Sequence, residues 1–190
     1  MADPVRKLPT YQDVLDAPPH MVAEILLGEL HLSPRPARRH GRAASILGMD
    51  LGSAFERGRG GPGGWVIFYE PELHLGSDIV VPDLGGWHKD RFPLAESEEA
   101  YFTTRPDFVC EVLSKSTARY DRTDKLTIYA RESIPFVWLV DPLLRTLEVL
   151  VLTGERWILH GTYRDDQIVH APPFEAVGIE LGSLWLPETP

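Results

Sequence analysis

One cysteine, Cys110, in 190 residues excludes an internal disulfide framework and a cysteine-rich zinc site. It lies in the apolar run Phe108-Val109-Cys110, where a thiol is far more often a small buried hydrophobe than a nucleophile. Long hydrophobic runs are missing as well. Apolar stretches break within about ten residues, well short of the roughly 20 that span a bilayer. The stretch from Met1 to Pro9 is too polar for a secretory leader. The expectation is a single domain over 1–190 (core about 8–186), in the cytoplasm and without a membrane partner. Positive charge is scarce: 19 Lys and Arg face 28 Asp and Glu, a net charge of −9, which argues against indiscriminate coating of a polyanion. The seven histidines show no His-x-x-x-His spacing, and no GxGxxG, GxxxxGK[ST] or GxSxG pattern is present. Helical zinc sites, dinucleotide folds, P-loops and serine elbows lose their support. The Gly-rich stretch Gly58 to Gly64 has no lysine and no helix signal after it, and reads as a flexible turn.

What is present is an ordinary globular composition, 43% hydrophobic and 25% charged, with 17 Pro and 16 Gly that call for tight turns. The charge is unevenly spread. Arg35, Arg38, Arg39 and Arg42 fall within eight residues around His40, whereas three arginines face eight carboxylates from Asp141 onward. The basic cluster is a candidate contact for a phosphate backbone, the alternative being a solvated helix face.

Periodicity supplies the elements. Thr10 caps a short helix over Tyr11 to Asp16, stopped by Pro18-Pro19. Met21 to Leu32, with its Leu27-Gly28-Glu29 turn, reads as a hairpin. Ala44, Leu47, Leu51, Ala54 and Phe55 form the stripe of an amphipathic helix within 36–57. Strands follow at Trp65 to Tyr69, Glu72 to Leu75, Ile79 to Val81 and Asp107 to Leu113, the last apolar on both faces and therefore internal. A helix from about Asp121 to Arg131 and a strand at Phe136 to Val140 complete a right-handed βαβ unit. Leu147 to Leu152 and Trp157 to His160 pair as a meander, whose leucines are a candidate surface for a homodimer. The fold class is α/β, a mixed sheet flanked by helices with an N-terminal hairpin and a C-terminal β-meander.

Two carboxylates stand where the sequence is otherwise core. Asp83 closes Ile79-Val80-Val81-Pro82, and Glu111 interrupts Phe108 to Leu113. An ionised carboxylate there is costly unless a cation or a metal ion compensates it. Adjacent strands would bring the two to one sheet edge. Paired hard oxygens with room for water suit Mg²⁺ or Mn²⁺, which activate water and polarise a phosphoryl group. Lys125, on the helix after the Glu111 strand, is the candidate cation, and Lys115, sharing strand parity with Glu111, is its rival. Glu111 as a buried partner of an arginine, and Lys125 as a packed helix lysine, remain the structural alternatives.

These residues resemble the Uma-two family of restriction endonucleases, within the PD-(D/E)XK nuclease superfamily. The likeness runs through Ala23-Glu24-Ile25-Leu26-Leu27-Gly28-Glu29-Leu30, Val81-Pro82-Asp83, Pro106 to Ser114, Ser116-Thr117, Asp121-Arg122, Lys125-Leu126, Tyr129-Ala130 and Ile134 to Pro142. It implies a restriction-endonuclease-like core and a metal-dependent endonuclease acting on phosphodiester bonds of nucleic acid, DNA first. Asp83 and Glu111 would be the metal-binding acids, with Glu24 a further acidic member of the metal site, and Lys125 the catalytic cation. Arg38, Arg39 and Arg42 would contact the nucleic-acid backbone. The chain departs from the superfamily pattern at Leu113, where a lysine is usual, and from relatives at Lys115, where proline is usual. Those departures motivate a second reading, a catalytically inactive binding or assembly module that kept the fold.

Overall fold

A computed structural model describes residues 7–92 and 98–187. Helix α1 (Tyr11–Leu15) opens the chain, and the Asp13 carboxylate ties it off by accepting from both the N–H and the hydroxyl of Thr10, each at 2.7 Å. Strands β1 (Met21–Leu26) and β2 (Glu29–Pro34) form the hairpin, turned by Leu27 and Gly28, both at positive φ. Helix α2 (Arg38–Leu51) ends in a wider π-type turn over Gly52–Glu56 and buries Ala43, Leu47, Leu51 and Phe55. Then come β3 (Trp65–Tyr69), β4 (Leu73–Leu75), β5 (Asp78–Val80), β6 (Leu84–His88) and β7 (Phe108–Val112).

The crossover after β7 is one winding of three pieces: α3 (Ala118–Tyr120), a π-type turn (Asp121–Lys125) and α4 (Leu126–Arg131). It leads into β8 (Phe136–Asp141), parallel to β7 with Glu111 opposite Leu139. Strands β9 (Thr146–Thr153) and β10 (Arg156–Arg164) complete the meander, and a small β11 (Ile168–Val169) and β12 (Ile179–Glu180) ladder closes the C-terminal region.

Two sheets result. A six-stranded mixed sheet runs β10-β9-β8-β7-β6-β3, and a four-stranded sheet runs β2-β1-β5-β4. The large sheet is covered on both faces, so alternate residues of β7 enter different cores. Phe108, Cys110 and Val112 pack with Leu47, Phe55, Trp138 and Phe174. Val109 and Leu113 pack on the other face with Ile128, Tyr129, Val137 and Leu139. Each such side chain removed from water contributes about 1.5–3 kcal/mol before entropy is counted.

Two expectations need correction. Strand β6 has no counterpart in the sequence reading, because Leu84-Gly85-Gly86-Trp87-His88 carries two glycines and looks like a loop. Gly85 is required there: a Cβ would come within 2.8 Å of Pro71 Cγ. The leucines of the meander are not a shared exposed surface. Leu147 and Leu150 are buried because β9 is flanked by β8 and β10, and the exposed large hydrophobics of the edge strand β10 are Ile158 and Leu159. Among the described residues no helix is long and apolar enough to cross a membrane.

Candidate active site

The pairing of β6 with β7 decides where Asp83 lies. Leu84 sits opposite Cys110 and Gly85 opposite Val109, so the residue before β6 comes level with Glu111. The Val112 N–H donates to Asp83 Oδ2 at 2.7 Å, fixing that carboxylate across the strand end. The two acids therefore meet at the ends of two internal strands, not at an edge strand of the sheet. Strand ends leave unpaired backbone groups and room above them, which a continuous ladder does not.

Alternation along β7 points Glu111 to the face covered by the crossover, as Val109 and Leu113 do. There the helical winding offers Asp121, Lys125 and Tyr129, spaced four apart and all buried. Lys125 Nζ donates to Glu111 Oε2 at 3.2 Å and lies 2.9 Å from Glu24 Oε1 and 3.4 Å from Asp121 Oδ1. The Tyr129 hydroxyl donates to the other oxygen of Glu111. Glu24, on β1 of the smaller sheet, also accepts the Val81 N–H just past β5 at 2.8 Å, and the Lys125 ammonium it shares with Glu111 ties that sheet to the larger one. His40, in the first turn of α2, approaches Asp83 Oδ1 with its Nε2 at 3.1 Å.

Among the described residues Lys125 is the only buried cation, at 4% exposure, and it faces Glu24, Glu111 and Asp121, each at 5% or less. Burial and the three neighbouring carboxylates hold the Glu111 carboxyl well above the usual range, against the opposing pull of Lys125. Burial likewise lifts Asp121. Burial pulls the Lys125 ammonium down, but Glu111, Glu24 and Asp121 outweigh it and the net shift is upward. For His40 burial is again outweighed, by its hydrogen bond and charge contact with Asp83, so the imidazole rises. The physical cause is one imbalance: more buried acid than buried base.

A cavity of about 660 Å³ opens onto this cluster. Glu24, His40, Asp83, Glu111, Asp121 and Lys125 line it together with Arg35, Arg38, Arg39 and Lys115. The sequence-derived acids and Lys125 thus converge, and Arg38 and Arg39 stand exposed at their rim. Arg42 does not join them: its guanidinium donates to the Ser183 carbonyl at 3.0 Å, and it is absent from the cavity lining. Arg42 lies about one turn further along the same face of α2, and that axial rise of roughly 5 Å takes its side chain to the C-terminal segment. Lys115 is exposed on the rim, beyond the end of β7, whereas Lys125 contacts Glu111. Cys110, one residue from Glu111, faces the opposite core with its thiol pushed up by burial.

Sequence reasoning missed three members of the cluster. The four-residue spacing of Asp121, Lys125 and Tyr129 was the available signal for two of them. His40 left none, because its approach to Asp83 depends on how α2 packs over the strand ends.

Residues 8–183 match the family described as "Uma2: Putative restriction endonuclease". The chain belongs to the Uma2 family. A solved structure titled as a putative nuclease belonging to DUF820, from Anabaena variabilis ATCC 29413, aligns with a TM-score of 0.75 at 22% identity. The alignment covers 93% of this chain and 97% of that one, and it establishes a shared fold for this Uma2 chain. No curated protein matches.

The chemistry of the two carboxylates would suit a hard divalent ion, with their four oxygens now facing donors from Val112, His40, Lys125 and Tyr129. Asp83 and Glu111 supply carboxylate oxygens at adjoining strand ends, and the buried excess of acid favours a cation. Among the described residues no three His, Cys, Asp or Glu side chains form a cage by themselves. Two carboxylates completed by water and a substrate phosphate is the pattern of magnesium, not of a structural zinc site.

Proposed function

We propose that this protein is a divalent-metal-dependent endonuclease that hydrolyses phosphodiester bonds, with DNA as its substrate. One observation carries the reading: Lys125, delivered by the crossover winding, stands 3.2 Å from Glu111 in the cavity that Asp83 also lines. Two acids can hold a metal ion and an ammonium can stabilise charge on phosphate, and Lys125 would supply the charge that Leu113 cannot.

Asp83 and Glu111 would hold Mg²⁺ or Mn²⁺, which supplies a nucleophilic water and polarises the phosphoryl oxygens. Glu24 and Asp121 hold the Lys125 ammonium in place while leaving it charged. Lys125 then meets the negative charge that grows on the scissile phosphate. Tyr129 fixes one Glu111 oxygen and so restricts the carboxylate's rotation. Arg38 and Arg39 meet flanking phosphates at the rim.

The test is cleavage of plasmid and labelled oligonucleotide DNA with Mg²⁺ or Mn²⁺, comparing wild type with Asp83→Asn and Lys125→Met. Wild type should cut and each variant should lose at least about 100-fold, the scale of one preorganised transition-state contact. Folded protein inert across metals and substrates, or an Asp83→Asn variant that cuts as well as wild type, overturns the proposal. A second reading, a nuclease-fold module that binds without cutting, draws on the protein partners already present at the oxygens of Asp83 and Glu111. Calorimetry separates the two, since that module gives no heat of Mn²⁺ binding.

A further inference from the structure

We infer that the site receives a single unpaired polynucleotide strand, with one unstacked base seated in the cavity, in preference to intact duplex. The inference rests on the hydrolytic reading above for the position of the scissile phosphate, and goes beyond it in naming the state of the substrate.

Depth is the first reason. Glu24, Glu111, Asp121 and Lys125 are each at most 5% exposed, so a phosphate must come down to them. A cavity of about 660 Å³ has the size of sites that enclose a small ligand, on the order of 300–1,000 Å³, and a lone nucleotide fits that class. In a duplex each base is stacked and paired, and no nucleotide enters a recess without being extruded at a cost of a few kcal/mol.

The walls are the second reason. Val22, Pro34, Pro36, Leu143 and Leu186 line the cavity, and Leu143 and Leu186 are 50% and 39% exposed. A phosphodiester backbone gains nothing from apolar walls, whereas the face of an extruded base packs against aliphatic side chains. Leu143 and Leu186 offer such a face two apolar contacts beside the basic rim.

Charge is the third. The rim carries Arg35, Arg38, Arg39 and Lys115 in a protein of net charge −9. Four rim cations match about three or four phosphates, the length of one short strand segment crossing the cavity mouth. For a single strand, log K should then fall with log salt at a slope of about −2 to −3.

Fluorescence anisotropy with Ca²⁺ in place of Mg²⁺ tests this, using a labelled 12-nucleotide DNA strand, the duplex of the same sequence, and dAMP as competitor. The single strand should bind at least about tenfold more tightly than the duplex. Leu143→Asp should weaken the strand about tenfold or more, while Leu144→Asp, 70% exposed and outside the cavity, should not. Both positions are solvent-exposed, and circular dichroism checks that both variants fold. Duplex binding as tight as the strand, an unaffected Leu143→Asp variant, or dAMP binding as tightly as the 12-mer overturns the assignment. Strand binding without cleavage under any metal overturns hydrolysis and leaves strand selectivity standing. Preferential cutting of duplex does the reverse.

Discussion

Replacing Lys125 by methionine removes the one buried cation described in the structure while keeping most of the side-chain volume. Its ammonium lies 2.9 to 3.4 Å from Glu24, Glu111 and Asp121, and the residue is 4% exposed. Removing one partner from a buried charge cluster costs about 3–5 kcal/mol, because the opposite charges stay behind without compensation. In a chain of this length each kcal/mol moves the melting temperature by about 2–4 °C, so Lys125→Met should melt about 6–20 °C lower. Thermal unfolding in EDTA, followed by circular dichroism, reads the effect. Adding Glu24→Gln to Lys125→Met should cost less than the sum of the single changes by about 0.5–3 kcal/mol, since one orphaned carboxylate goes with the lysine. Mn²⁺ at ten times its dissociation constant should restore about 1.4 kcal/mol to any variant that keeps Asp83 and Glu111. A Lys125→Met protein melting within about 2 °C of wild type, with strictly additive behaviour in the double variant, would refute the buried cluster.

Tyr129→Phe should lower stability in urea by about 1–3 kcal/mol, because the buried Glu111 oxygen loses its hydroxyl donor, and an unchanged midpoint would rule that bond out. Tyr69 is the second test. Burial, then the charges of Asp50 and Glu56, raise its phenol above the ordinary value of 10.0. A group raised on folding contributes stability that is complete below its unfolded pKa and lost as pH rises through the folded one. Wild type should therefore lose stability above about pH 10 more steeply than Tyr69→Phe, in paired melting curves, and parallel curves would count against the assignment.

The chain's order of elements was legible because burial imposes periodicity. The stripe Leu47, Leu51, Ala54 and Phe55 marked a helix, and the apolar runs around Cys110 and Trp138 marked internal parallel strands. Strand β6 escaped because close packing against Pro71 demands a glycine there, and glycine reads as a turn. The hairpin's second strand ran two residues further than its pattern, to Pro34, where side chains are mostly exposed and carry no stripe.

By itself the sequence determined that two acids, Asp83 and Glu111, sit in segments too apolar to leave them unpaired, since an uncompensated buried charge costs more than marginal stability allows. It also determined that Lys125 follows on the connecting helix. Only the tertiary structure decided which groups answer them. Strand register set Asp83 level with Glu111, side-chain alternation turned Glu111 toward the crossover, and the packing of two sheets brought Glu24 to the same ammonium. The capture of Arg42 by the Ser183 carbonyl, one turn beyond Arg38 and Arg39, and the approach of His40 to Asp83 were likewise set by how α2 packs against its neighbours. Composition and spacing constrain what each side chain must find. Distances between segments remote in sequence are fixed only when the chain closes on itself, because each depends on the register and packing of elements that no local pattern encodes.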